Sequence, residues 1–201
     1  MLIDLHIHTK QGSRCSSLDI HGLVMRAKKM HLDAVCITDH NTTMAVEMVR
    51  DAGKEQGLIV LGGMEVRCRE GDILTFGLQD PPDPGIAALD LLKLVQRSEG
   101  AAIVAHPFRA SAPSLGRVVC EISGFDALEV LNGNSSNDEN KKACCAAQRL
   151  HIPGTGGSDA HSRASVGRYV TEFEENSIKG EQDLIAALRG GRFKPKKLLD
   201  L

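Results

Sequence analysis

The chain has 201 residues, of which 42% are hydrophobic and 25% are charged, and these values suit a globular domain with a buried core. Its formal net charge of −2 provides no general attraction for nucleic acid, although a local basic groove is compatible with that charge. The N-terminus lacks the pattern of a signal peptide, and no window approaches the roughly 18 apolar residues of a membrane span, so we expect a cytoplasmic protein with no membrane partner.

Apolar runs alternate with amphipathic segments along the chain. The first strand is predicted over residues 2–7, and a helix with an N-cap at Ser16 or Ser17 follows it. The other predicted strands cover residues 34–38, 58–61 (continuing towards 66), 73–78, 101–105, 127–131 and 152–156, and the other predicted helices cover 42–56, 86–99, 139–150 and 182–189.

Strands that alternate with helices favour parallel pairing through right-handed crossovers. About seven strand–helix units fit into the chain, and this number suggests a barrel with short units. An open doubly wound sheet is the main alternative. No linker, repeat or low-complexity segment divides the sequence, so we predict a single domain over residues 1–201.

Histidine and carboxylate side chains follow five of the predicted strands at their carboxyl ends. In β/α folds these ends form the rim on which active sites lie. Any one of these residues could instead be a packed histidine, a helix cap or a paired carboxylate, but their recurrence at successive strand ends favours a shared site. The residues are His6 and His8, Asp39 and His40, Glu65, His106, and Asp159 with His161.

The spacing of these residues indicates metal binding. Residues i and i+2 of a strand point to the same side, so His6 and His8 can ligate one ion together, and Asp159 and His161 have the same spacing. Neutral imidazole and carboxylate suit zinc, manganese or ferrous iron. Since Glu65 has two oxygens, it can bridge two ions.

Five ordered motifs identify a family that this sequence resembles. His6-Ile-His-Thr9, Ile37-Thr-Asp-His-Asn41, Gly63-Met-Glu65, His106-Pro-Phe-Arg109 and Gly157-Ser-Asp-Ala-His161 are similar to those of the PHP family (polymerase and histidinol phosphatase domain) of metal-dependent phosphoesterases. The resemblance extends from residue 3 to about residue 195. It implies a distorted (β/α)7 TIM-like barrel with two or three divalent metal ions.

The same resemblance implies a role for each motif residue. His6, His8, Glu65 and Asp159 would hold a first ion, and Glu65 would share a second ion with His106. His40 and His161 would belong to a third ion. We take Glu65 and Asp159 as the catalytic carboxylates, beside which a metal-activated hydroxide would attack phosphorus.

The sequence departs from the family pattern at two places. Family members often carry a further ligand shortly after His-x-His-Thr, where this chain has Arg14 and Cys15, so Cys15 would be a soft ligand or Arg14 a nearby positive charge. They also often carry a histidine or cysteine after the strand at 127–131, where this chain has Asn134, a weaker ligand.

Two arginines are candidates for substrate binding. Arg109 follows the His106 motif, and Arg168 follows the loop of Asp159 and His161. A guanidinium binds phosphate through two parallel hydrogen bonds. The alternative for each arginine is a surface salt bridge.

Three functions remain open at this stage. The first is hydrolysis of a small phosphomonoester of the nucleotide or sugar-phosphate type, with a small phosphorylated molecule as the partner. The second is a nuclease or phosphodiesterase that trims short nucleic acids, which predicts a basic groove and a steep salt dependence. Nucleic acid is the less favoured partner, because the charge is balanced and the lysines are scattered. The low aromatic content (no Trp and one Tyr) also argues against a base-stacking platform. The third is a metal-binding module that has lost its activity.

Overall fold

The structure is a computed structural model that describes residues 1–198, so the last three residues of the predicted domain lie outside the described part. Strands and helices alternate through most of the chain. They are β1 (Leu2–Ile7), α1 (Ile20–Lys29), β2 (Ala34–Ile37), α2 (Val46–Glu55), β3 (Ile59–Gly62), β4 (Met64–Arg67), β5 (Asp72–Phe76), α3 (Ala88–Arg97), β6 (Ala101–Val104), β7 (Ala127–Asn132), α4 (Asn137–Leu150), β8 (Gly154–Gly157), β9 (Tyr169–Phe173), α5 (Glu181–Gly190) and β10 (Phe193–Lys197).

The described strands form two five-stranded sheets with the orders β10-β9-β1-β2-β3 and β4-β5-β6-β7-β8. The fold is therefore α/β as predicted, but a closed (β/α)7 barrel is not confirmed. Isolated bridges join the two sheets at two seams, one between Ile7 and Ala160 and one between His40 and Glu65.

The prediction of parallel pairing holds for only part of each sheet. Strands β1, β2 and β3 are parallel, as are β6, β7 and β8, whereas β4, β5 and β6 pair antiparallel, and so do β1, β9 and β10. A short turn, not a helix, connects β4 to β5, and such a connection allows only antiparallel pairing. Strands β9 and β10 were not predicted, because glutamate and lysine residues interrupt their apolar pattern.

Three hydrophobic clusters hold the layers together. The inner cluster contains side chains of both sheets and of α5, including Leu5, Leu74, Ile103 and Leu184. A second cluster packs α1 and α2 on the first sheet, and a third packs α3 and α4 on the other sheet. Each large aliphatic side chain buried in this way contributes about 1.5–3 kcal/mol.

The helix boundaries correct the predicted N-cap of α1. Asp19 is the cap, and its Oδ1 accepts a hydrogen bond of 2.8 Å from the backbone N–H of Gly22. The predicted caps instead bind backbone carbonyls near the strand ends: the Ser16 hydroxyl donates to the carbonyl oxygen of His8, and the Ser17 hydroxyl donates to that of His161. Among the described residues, no helix has both the length and the apolar character needed to cross a bilayer.

Replacement of the observed cap tests this correction. Asp19→Ala leaves an amide of the first turn without its acceptor, so we expect the free energy of unfolding to fall by about 1 kcal/mol in urea denaturation. Asp19→Asn keeps an acceptor oxygen and serves as the matched control, with stability close to that of the wild type. Equal stability of all three proteins would contradict the assignment of Asp19.

Candidate metal centre

The two seams between the sheets bring the predicted ligands together. At one seam, the backbone N–H of His8 donates to the carbonyl oxygen of Ala160 at 3.0 Å, so the ends of β1 and β8 lie side by side. At the other, the N–H of Glu65 donates to the carbonyl oxygen of Asp39, and that of Asn41 donates to the carbonyl oxygen of Glu65. Backbone pairing therefore places residues from four strand ends around one point.

All seven predicted ligands lie in one cluster. Nε2 of His6 and Nε2 of His8 are 3.0 Å apart, as expected from their i, i+2 spacing. The side chains of His6, His8, Glu65, His106 and Asp159 are buried, whereas His40 and His161 are about a third exposed and face the mouth. Groups of three whose ligand atoms lie within 4.8 Å of one another are His8–His40–His161, His6–His106–Asp159, His6–His8–Glu65 and Glu65–Asp72–His106.

Glu65 lies at the middle of this cluster. Its Oε1 is 2.9 Å from Nε2 of His106, and its Oε2 is 2.9 Å from Nδ1 of His40 and 3.1 Å from Nε2 of His8. This Oε2 is buried and accepts no hydrogen bond of acceptable angle, despite the nearby nitrogens. A buried carboxylate oxygen without a donor is the expected arrangement for a cation ligand.

The distances between ligand atoms also suit a metal ion. Ligands that bind one ion tetrahedrally at ~2.0–2.1 Å lie roughly 3.3 Å apart. Nε2 of His8 lies 3.3 Å from Oδ1 of Asp159, which in turn lies 3.5 Å from Nδ1 of His161. The donor set of imidazoles and carboxylates therefore fits one or more divalent ions of the zinc, manganese or iron type.

The charges of the cluster depend on one another. Burial lowers the pKa of His8, but the carboxylates of Asp159 and Glu65 outweigh burial and raise this pKa to about 9. Burial likewise raises the pKa of Glu65 and of Asp159, but His6 and the neighbouring imidazoles hold both well below the ordinary carboxyl value. In the metal-free protein, protons on imidazole nitrogens thus provide the positive charge that an ion would otherwise supply.

A second layer of buried carboxylates orients the predicted ligands; sequence reasoning placed Asp39 at a strand end but missed Glu129. Oε1 of Glu129 is 3.0 Å from Nδ1 of His6, and Oε2 of Glu129 accepts from the backbone N–H of His106. Asp39 accepts from the N–H of Thr9 at 2.7 Å, which holds the turn after β1. A glutamate inside the apolar strand β7 is the sequence feature that could have identified Glu129.

The chain approaches this layer so closely that a side chain is excluded at one position. A Cβ atom on Gly157 would lie 2.4 Å from Oε1 of Glu129 and 2.6 Å from Cβ of His6. Two of the predicted ligands also have left-handed backbone, with φ of 29° at His106 and 49° at Asp159. Such conformations persist where the surrounding structure requires them, commonly at functional sites.

The remaining predicted site residues lie in different surroundings. Nη1 of Arg109 donates to Oδ2 of Asp159 at 2.6 Å, so this arginine is part of the cluster. Arg168 is exposed and directly precedes β9. Cys15 is exposed and belongs to none of the four ligand groups found among the described residues. The amide of Asn134 donates to the carbonyl oxygen of Asp159 at 2.7 Å, so it supports the ligand loop.

Metal binding to this cluster should release protons. Because the pKa of His8 is raised to about 9, its imidazole is protonated at pH 7 and must lose that proton to bind an ion. We expect affinity to fall about tenfold per pH unit below 9 for each proton displaced. Calorimetric titration with manganese at pH 7 should give heats that depend on the protonation enthalpy of the buffer, and heats independent of the buffer would contradict the expectation.

Loss of the Glu129 charge should weaken metal binding. Glu129→Gln removes the negative partner of the His6 imidazole, and loss of such a partner typically costs 10–100-fold in metal affinity. Competition with a chromogenic chelator measures this affinity. Glu121→Gln, an exposed glutamate outside the cluster, is the matched control, and equal affinity of both variants would show that Glu129 does not support the site.

Proteins with similar sequences match different parts of the chain. An uncharacterized protein of Methanocaldococcus jannaschii is 29% identical over 141 residues, which are 66% of this chain and 82% of that protein. A phosphoribosyl 1,2-cyclic phosphate 1,2-diphosphodiesterase of Eggerthella lenta is 28% identical over 95 residues, 44% of this chain and 35% of the enzyme. A PolC-type DNA polymerase III of Thermotoga petrophila is 36% identical over 63 residues, 31% of this chain but 5% of the polymerase.

A solved structure aligns with nearly all of the chain, and two family patterns match most of it. A two-domain protein of Bacteroides vulgatus containing a predicted PHP-like metal-dependent phosphoesterase has the same fold, with a TM-score of 0.77 and 17% identity over 98% of this chain and 64% of that protein. The pattern of the PHP-associated region matches residues 137–193, which include Asp159 and His161. The pattern of the PHP domain matches residues 4–109, more than half of the sequence, and the chain therefore belongs to the PHP family.

Proposed function

We propose that this protein is a metal-dependent phosphoesterase that hydrolyses a small phosphomonoester, such as a nucleotide or a sugar phosphate. The observation that carries the proposal is the convergence of five histidine side chains on the carboxylates of Glu65 and Asp159. Membership of the PHP family and the phosphodiesterase name of one relative support a phosphate ester as the substrate. The packing of α5 against both sheets supports a single domain over the whole chain.

Each residue has a proposed role. His6, His8, Glu65 and Asp159 would hold a first ion, Glu65 and His106 a second, and His40 with His161 a third. Bound divalent ions would activate a water molecule at neutral pH and stabilise negative charge on phosphoryl oxygens.

The protein's own groups hold the ligands and the substrate in position. Glu129 fixes the ring of His6 through Nδ1, so that Nε2 points into the cluster. Arg109 contacts Oδ2 of Asp159 and leaves Oδ1 to the imidazoles. Its remaining N–H groups are suited to a phosphate oxygen bound beside Asp159. Arg168 is exposed and directly precedes β9, and we propose that it contacts a more distant part of the substrate.

One observation favours the nuclease alternative. A cavity of about 940 Å³ between α4 and the turn at Gly116–Cys120 is lined by Arg117, Lys141, Lys142 and Arg149, with Glu121 as an acidic neighbour. Phe108 also lines it, one residue from Arg109. A groove of this charge suits a phosphodiester backbone, and the match to a PolC-type polymerase is consistent with that chemistry.

Turnover with a defined metal tests both functions. Metal-stripped protein reloaded with manganese is incubated with a panel of phosphomonoesters and, in parallel, with short oligonucleotides. We expect release of inorganic phosphate from a small monoester, and loss of at least about a hundredfold in rate for Asp159→Asn, which removes a charge that holds the ion. Asp51→Asn, an exposed aspartate paired with Lys54, is the matched control and should keep the wild-type rate.

The outcomes separate the three functions. Release of mononucleotides that falls steeply with salt would assign the nuclease activity. If the protein binds metal but hydrolyses no substrate of either panel, the metal-binding module without activity is the function that remains. A wild-type rate for Asp159→Asn would contradict the proposed centre.

A further inference from the structure

A third arginine, Arg67, lies on the solvent-facing side of the candidate metal centre. Strand β4 runs from Met64 to Arg67, so Arg67 follows Glu65 by two residues and points to the same face of the sheet. Because Glu65 is buried and the side chain of Arg67 is 51% exposed, Arg67 lies between the cluster and solvent. The carboxylate of Glu65 is close enough to help raise the pKa of the Arg67 guanidinium, after the larger effect of its hydrogen bond to Asp72.

The guanidinium of Arg67 is held by a buried carboxylate. Asp72 is directly opposite Arg67 in the antiparallel pairing of β4 and β5. Nε and Nη2 of Arg67 contact Oδ1 and Oδ2 of Asp72 at 3.0 and 3.3 Å, and the Asp72 side chain is 2% exposed. This side-on contact uses two of the five N–H groups of the guanidinium, so three others, including both on Nη1, are not engaged by Asp72.

Asp72 also places Arg67 near the ligands. A carboxylate oxygen of Asp72 lies within 4.8 Å of ligand atoms of Glu65 and His106. The Arg67 guanidinium is hydrogen-bonded to Asp72, so it lies next to this group of side chains. A phosphate bound at Glu65 and His106 is therefore within reach of Arg67. The pair resembles Arg109 and Asp159, where an arginine also contacts a buried carboxylate of the cluster.

An arginine adds positive charge beside the carboxylates of the site. Glu65, Asp72, Glu129 and Asp159 are buried carboxylates in or beside the cluster, and their repulsion of a phosphate dianion offsets part of the attraction that bound ions would provide. Arginine is the side chain best suited to offset this repulsion, because one guanidinium can bind a carboxylate and a phosphate at different edges.

We propose that Arg67, positioned by Asp72, binds the phosphoryl group of the substrate together with Arg109. This inference rests on the proposed function, since it assigns a further substrate-binding residue to the same site. Asp72 is then a positioning residue, which acts only through Arg67.

Binding of inorganic phosphate tests the proposal without requiring turnover. Calorimetric titration of the manganese-loaded protein with phosphate is compared for wild type, Arg67→Gln and Arg69→Gln. Arg69 is an exposed arginine two residues further on, whose Nε binds the carbonyl oxygen of Gly85, and it is the matched control. We expect Arg67→Gln to weaken phosphate binding about tenfold or more and Arg69→Gln to leave it within about twofold, with unchanged manganese content in both.

Three further variants examine the geometry and the role of Asp72. Arg67→Lys should recover only part of the affinity, because an ammonium does not bind two oxygens in parallel. Asp72→Asn should weaken phosphate binding with no loss of manganese, whereas loss of an ion would make Asp72 a metal ligand and overturn its positioning role. The single variant Arg67→Gln leaves the buried carboxylate of Asp72 without its partner, which destabilises the fold. The double variant Arg67→Gln, Asp72→Asn removes both charges, so it measures phosphate binding in a protein without that unpaired charge.

The results distinguish this proposal from the proposed function. If Arg67→Gln and the double variant bind phosphate as tightly as the wild type, or if the wild type binds none, the role of Arg67 is wrong. If the wild type binds phosphate through Arg67 but hydrolyses no ester, the role of Arg67 stands and the phosphoesterase proposal fails. Where turnover is observed, Arg67→Gln should raise KM about tenfold or more and change kcat less.

Discussion

The buried carboxylate of Glu65 is the constraint on which the site depends. An ionised carboxylate without partners in the interior costs several kcal/mol, so the chain must surround it with positive charge or protons. Imidazoles from β1, from the end of β2 and from the end of β6 lie within 3.5 Å of its two oxygens. The same arrangement that compensates the charge also leaves one oxygen without a hydrogen-bond donor, which is the property of a metal ligand.

Backbone pairing between the two sheets makes this convergence possible. Glu65 is bonded to the segment after β2, and the end of β1 is bonded to Ala160, so each seam contributes ligands from both sheets. The inner hydrophobic cluster contains side chains of both sheets and of α5, and so joins the two sheets. Rigid strands thus fix the ligand atoms, and the left-handed residues His106 and Asp159 turn the chain sharply where the ligands must face inward.

A ring of polar contacts then fixes the charge and direction of each ligand. Glu129 orients His6, Asp39 holds the turn at Thr9, and the arginines Arg109 and Arg67 contact Asp159 and Asp72. Because the carboxylates and imidazoles shift one another's pKa, removal of one member changes the proton occupancy of the others. The cluster therefore behaves as one electrostatic unit, and in metal sites of this kind the partners that orient a ligand also affect metal affinity.

The amino-acid sequence by itself predicted the candidate ligands that the structure brings together, and most of the strands. His6, His8, Glu65, His106 and Asp159 follow apolar runs, and the carboxyl ends of parallel strands meet at one edge of a sheet. The position of each residue after an apolar run was sufficient to identify it as a candidate ligand. The i, i+2 spacing of His6 and His8 also predicted that their side chains lie close together. The family resemblance added the expected number of ions and the phosphate chemistry.

Only the tertiary structure decided the sheet pairing and the second layer. The antiparallel β4–β5 pair depends on a short turn, and β9 and β10 gain their strand form from neighbours in the sheet, not from their own pattern. The partners Glu129 and His6 are 123 residues apart, and a local pattern carries no information on such a contact. The pairing of Arg67 with Asp72 likewise follows from the register of two strands, which places an exposed arginine beside a buried carboxylate.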